Sequence, residues 1–168
     1  VSVEIKSKEF GRIATQNAKN VILQKIREEE RNVVYNQFYE KEKDVVTGIV
    51  QRYIGRNISI DLGKADAILN ENEMVKGDVF KPTERIKVYI LEVKNTTKGP
   101  RILVSRTHPD LVKRLFESEV AEIADGTVEI KAIAREAGSR TKMAVWSDNP
   151  NVDPVGACVG MNGSRVNS

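Results

Sequence analysis

One cysteine, one histidine and an aromatic content of 5% limit what this 168-residue chain can do before any motif is considered. Cys158 has no partner for an internal disulfide, which fits a reducing compartment. His108 alone cannot build a multi-histidine metal site. No nucleophile signature, paired carboxylates or metal-ligand cluster accompanies it. Beside a proline at a helix start, it reads more simply as a capping or surface group. No apolar run approaches the roughly 18 residues needed to cross a bilayer. The opening Val-Ser-Val-Glu-Ile-Lys also lacks the basic start and apolar stretch of a signal peptide. Charge of one sign is scarce as well. Lys and Arg number 27 against 24 Asp and Glu, a net +3 that does not by itself mark a nucleic-acid binder. The expectation is a soluble cytoplasmic protein that is not an enzyme, with no catalytic residue, cofactor, metal or membrane segment.

What is present falls into three segments. Residues 1–43 hold nine basic and seven acidic side chains, 44–107 hold eleven and eight, and 108–168 hold seven and nine. The middle segment is the basic one. Residues 1–6 place Val1, Val3 and Ile5 opposite Ser2, Glu4 and Lys6, the alternation of a short strand. Ser7 then offers a helix N-cap, and no proline occurs before Pro82. Ile13, Ala14, Ala18, Val21, Ile22, Ile26, Val33, Val34 and Phe38 recur at three- and four-residue steps, which predicts a long amphipathic connecting helix. The run Arg-Glu-Glu-Glu-Arg-Asn at 27–32 is either a solvated length of that helix or a bend in it.

From Asp44 the period becomes that of strands. Five β-rich runs, at 44–54, 57–62, 64–69, 85–93 and 101–106, occupy about 65 residues, and Lys-Asn-Thr-Thr-Lys-Gly-Pro joins the last two as a hairpin. Five short strands in that length suit the closed barrel of the OB-fold. OB-folds hold single strands by stacking bases on aromatics in a basic groove. This segment has the basic residues, but its aromatics are only Tyr53, Phe80 and Tyr89. Residues 48–63, Gly-Ile-Val through Asp-Leu-Gly, and Val-Ser-Arg at 104–106 resemble the S1 branch of that fold. Where S1 domains place surface aromatics this chain has Arg56 and Ser59, and where they place a histidine it has Asn70. The resemblance implies a weak, salt-sensitive RNA contact through Arg52, Arg56, Ser59, Lys87, Arg101 and Arg106.

After Thr107 the order reads helix, strand, strand, helix, Gly-x-x-Gly. His-Pro-Asp opens the first helix, and Val128, Ile130, Ala132 and Ala134 alternate as the inward face of the first strand. Asp153-Pro154 starts a second helix that ends at Gly160. Gly160-Met161-Asn162-Gly163 in this setting looks like the loop of a KH domain, which clamps a sugar-phosphate backbone. Glycines let backbone approach backbone, and amides of a following helix turn toward phosphate. The two middle residues are uncharged, so the loop's basic help is assigned to Arg165, or to Arg135, Arg140 and Lys142 on the strand-loop-strand.

A barrel followed by a KH segment behind a long helix resembles the family of the bacterial transcription factor NusA. Phe-Gly-Arg-Ile-Ala at 10–14, Asn-Thr-Thr-Lys-Gly-Pro, Val-Ser-Arg-Thr-His-Pro, Leu-Phe-Glu-Ser-Glu-Val, Ala-Arg-Glu-Ala-Gly-Ser-Arg-Thr-Lys and Asp-Pro-Val-Gly-Ala-Cys-Val-Gly-x-x-Gly follow that family's order. The resemblance implies an α+β multidomain piece. It would contain the end of an N-terminal polymerase-binding domain with a connecting helix (1–43), a five-stranded S1 barrel (44–107), and a first KH domain truncated after its loop (108–168). It further implies a monomeric RNA-binding elongation factor that meets RNA polymerase, nascent single-stranded RNA and other elongation or antitermination factors. The alternatives are a cap-type S1-KH subunit of an RNA-degrading complex, which would not need the long helix, and a protein-docking module without RNA, which loss of the S1 aromatics favours.

Overall fold

The computed structural model describes residues 7–168, and the strand expected at residues 1–6 lies outside that range. The first described element is a single helix, α1 (Ser7–Tyr39), unbroken through residues 27–32. Its charged stretch is therefore a solvated length of helix and not a bend. The helical period is observed, but most of its apolar side chains are not covered. Ile13, Val21, Ile22, Leu23, Ile26 and Val33 are exposed, and only the C-terminal turns bury a stripe. Phe38 enters the barrel core, with Val34 and Tyr35 packed beside it. Arg31 donates to the Thr97 carbonyl and Asn95 Nδ2 donates to Asn32 Oδ1 at 3.3 Å, so the helix is tied to the barrel hairpin as well.

The barrel consists of β1 (Val45–Ile54), β2 (Asn57–Asp61), β3 (Asp66–Leu69), β4 (Arg85–Thr96) and β5 (Gly99–Ser105). It closes in the order β1-β2-β3-β5-β4. The β3–β5 pair is parallel and the others are antiparallel, as expected for an OB-type barrel. Alternation drives the closure. Ile58 and Ile60 on β2, Ala67 and Leu69 on β3, Val88 and Ile90 on β4 and Ile102 on β5 are fully buried. Each large aliphatic side chain removed from water contributes about 1.5–3 kcal/mol. Gly48 lets β1 lie close to its neighbour, because a Cβ there would stand 2.3 Å from Ile60 Cγ2. Phe80 and Tyr89 are also core residues, which leaves Tyr53 as the one exposed aromatic of the barrel segment.

The rest contains α2 (Pro109–Glu119), α3 (Ala121–Ala124), β6 (Glu129–Glu136), β7 (Arg140–Trp146), α4 (Pro154–Val159) and α5 (Ser164–Asn167). His108 caps α2, its Nδ1 accepting the Asp110 amide at 3.1 Å. Asp153 precedes α4 in extended conformation, but its side chain makes no capping hydrogen bond.

The antiparallel β6–β7 pair departs from the expected alternation. Its register shifts between Ile130 and Ala132. This β-bulge at Lys131 moves the following residues to the opposite face, since side chains alternate with a period of two. Ile130, Ile133 and Arg135 are therefore half-buried, while Ala132 and Ala134, expected inward, are exposed.

Candidate nucleic-acid interface

Gly160 to Gly163 form a tight turn between α4 and α5. Gly160 has φ 75° and ψ 173°, a region open in practice to glycine alone, and Gly163 is left-handed at φ 76°. A Cβ on Gly160 would lie 2.8 Å from Ser164 Oγ and 3.0 Å from the Arg165 amide nitrogen, so space and conformation both require glycine. Asn162 takes the left-handed region at φ 53°, where a short polar side chain is tolerated better than a branched one. Met161 projects from the turn and is 84% exposed. The result is a bare backbone ridge whose one large side chain is uncharged.

Arg165 does not supply the charge expected of it. Its Nη1 donates to Glu122 Oε2 and to the Ala157 carbonyl, both at 2.7 Å. It joins α5 to α3 and to the end of α4, and so braces the turn from behind. Glu122 is held below its ordinary pKa by a backbone hydrogen bond and then by the Arg165 guanidinium. Cys158 is buried beneath the turn, and burial pushes its thiol up.

Arg135 is likewise engaged elsewhere. The bulge turns it inward, where its Nη1 donates to the His108 carbonyl at 3.0 Å. Burial and the nearby Arg106 charge lower its pKa, with Asp78 opposing. Arg140 is exposed and pairs with Glu136 at 3.3 Å. Lys142 is exposed on β7, with no carboxylate in ion-pair range among the described residues. Of the four cations assigned to the loop, the structure leaves Lys142 open and Arg140 loosely held.

The barrel positions divide in the same way. Arg52, Lys87 and Arg101 are exposed. Arg56 is exposed and faces Glu71 at 3.7 Å. Ser59, expected on the RNA face, is only 8% exposed, and its hydroxyl donates to Gln51 Oε1 at 2.7 Å. Arg106 is a framework residue: Nε pairs with Asp78 at 3.0 Å, Nη1 donates to the Lys87 carbonyl at 2.8 Å, and the guanidinium lies 5.0 Å from the Phe80 ring centre. The partners that engage these arginines, Glu122 and Asp78, lie 43 and 28 residues away in sequence, so no local spacing could have revealed them. Among the described residues no cluster of His, Cys, Asp or Glu is placed to hold a metal ion, and no helix is long and apolar enough to cross a membrane.

Comparison with known proteins agrees with the two ends of this architecture. The family described as the NusA-like first KH domain matches residues 106–168, and the NusA N-terminal domain family matches residues 1–32. The chain is 57% identical to the transcription termination/antitermination protein NusA of Bacillus subtilis, over 99% of this chain and 45% of that protein. The proteins of the same name from Halalkalibacterium halodurans and Thermus thermophilus are 55% and 47% identical, over 99% and 96% of this chain and 44% and 42% of their own lengths. The chain thus spans less than half the length of these relatives. With family matches at both ends and this identity along nearly all of its length, the chain belongs to the NusA family.

Proposed function

We propose that the chain is an RNA-gripping portion of a transcription elongation factor that works with RNA polymerase on nascent single-stranded RNA. Its role lies in pausing and in termination and antitermination, the last two being the processes named in its relatives. It acts without catalysis, as a monomer in the cytoplasm, alongside other elongation and antitermination factors. The observation that carries the reading is the Gly160–Gly163 turn, a side-chain-poor backbone ridge braced by Arg165. KH loops use such a ridge to hold sugar-phosphate backbone. Arg52, Lys87 and Arg101 add a salt-sensitive electrostatic contact from the barrel.

Gly163→Asp tests the clamp, because it puts a negative charge in the ridge at a left-handed φ of 76°, which Asp adopts more readily than most side chains. Only the Asn167 side chain lies as near as 3.0 Å to the new Cβ. Fluorescence anisotropy with a short unstructured oligoribonucleotide should show binding weakened about tenfold, roughly 1.4 kcal/mol, with unchanged circular dichroism. A Gly163→Asp chain that binds like the parent rejects the clamp.

A further inference from the structure

A second concave, cationic site lies away from the Gly-x-x-Gly turn, where the C-terminal half of α1 meets the β2–β3 loop and the β4–β5 hairpin. It is an open hollow of about 370 Å³, and Arg27, Glu30, Arg31, Lys64, Asp66 and Lys98 line it. That volume falls in the range of small-ligand sites. Arg31 is committed to the Thr97 carbonyl and forms part of the wall. Arg27, Lys64 and Lys98 are exposed, and among the described residues no carboxylate lies within ion-pair range of them. Three uncommitted cations around one hollow call for an anion.

The two carboxylates decide which kind. Asp66 accepts a hydrogen bond from Gln51 Nε2 at 3.2 Å and, with Glu30, places negative charge in the same hollow. An acidic peptide sets its carboxylates against both, and its donors are backbone amides spaced along the chain rather than grouped with the anion. A nucleotide brings an anionic phosphate together with hydroxyl and amino donors, and so matches both halves of the lining. Exposed Arg101, next to Pro100 at the rim, continues the positive charge along β5, which suits a strand passing through better than a free nucleotide.

We propose that this crevice holds one nucleotide of a single-stranded RNA, with the phosphate on Arg27, Lys64 and Lys98 and the hydroxyl or amino donors on Glu30 and Asp66. The site uses none of the residues of the KH turn and extends the RNA path onto the junction of helix and barrel.

The test uses the whole chain, a 4-thiouridine-containing oligoribonucleotide, and the paired variants Lys64→Glu/Lys98→Glu and Lys64→Arg/Lys98→Arg. The glutamate pair should raise Kd about tenfold and lower the salt slope by about 0.7, the contribution of one phosphate contact on a single strand. The arginine pair should bind like the parent. Photocrosslinks on the unmodified chain should map to peptides containing Lys64 or Lys98. Parent-like RNA binding by the glutamate pair, or crosslinks confined to other peptides, would overturn the proposal. So would loss of binding to a labelled poly-glutamate peptide with RNA binding unchanged, which makes an acidic protein segment the occupant. Gly163→Asp, measured alone and combined with the glutamate pair, keeps the two sites distinguishable. If only the glutamate pair weakens binding, the crevice stands and the clamp fails.

Discussion

At the scale of single residues, the basic side chains divide into those that hold the fold and those left to meet a partner. Arg165, Arg135 and Arg106 belong to the first group and Lys142, Lys87 and Arg101 to the second. The pair of Glu122 and Arg165 gives a pH test with a definite sign. The folded-state pKa of Glu122 is depressed, so its contribution is present above the ordinary carboxylate pKa and is lost as pH falls through the depressed value. Glu122→Gln should therefore lower Tm at neutral pH, and the difference from the parent should shrink as pH falls below about 4. Thermal unfolding followed by circular dichroism at several pH values checks it, and a difference that does not vary with pH rejects it. The sequence displayed every one of these cations but not their engagement. Engagement depends on long-range partners and, for Arg135, on a bulge that no periodicity displays.

At the scale of elements, the signals with a strong local cause were legible. The 33-residue helix, the five strands, the hairpin and the Pro-led helices follow from period and turn residues, although the strands run further into residues 94–100 than expected and leave only Thr97-Lys98 as the loop. Strand faces after Lys131 were not, because one extra residue in a ladder exchanges inside for outside without altering composition. Coverage of α1 was not legible either, since apolar periodicity names a face and not what packs on it. Ile13 at 68% exposure and Phe38 at 6% lie in one pattern. Gly48 offers the element-scale prediction. Gly48→Ala places a methyl group 2.3 Å from Ile60 Cγ2 and 2.9 Å from Leu62 Cδ2 inside the barrel. It should destabilise the protein by about 1–3 kcal/mol through overpacking. A shift in the denaturant midpoint at unchanged m-value is the expected result, and an unaltered midpoint rejects it.

At the scale of the whole molecule, the barrel and the KH segment share a seam. Tyr89 stacks on His108 with ring centres 4.5 Å apart and donates to Asp110 at 3.3 Å, and Arg135 reaches the His108 carbonyl. The β6–β7 turn lies against the loop after β3, where a Cβ on Gly138 would be 2.6 Å from Val75 Cγ1. Gly138→Ala should therefore speed amide hydrogen exchange at residues 74–77 and 137–139 while leaving the β2 core protected. Unchanged exchange in both loops rejects the seam as a joint. The unbroken α1 has a different consequence. At 1.5 Å per residue its 33 residues measure about 50 Å, and each residue advances the azimuth by about 100°. Inserting one residue in its solvated middle would swing its N-terminal end by more than a quarter circle about the helix axis. Inserting seven would nearly restore the phase and add about 10 Å. The helix thus sets a bearing as well as a distance for its N-terminal end, and the two change together with every residue added or removed.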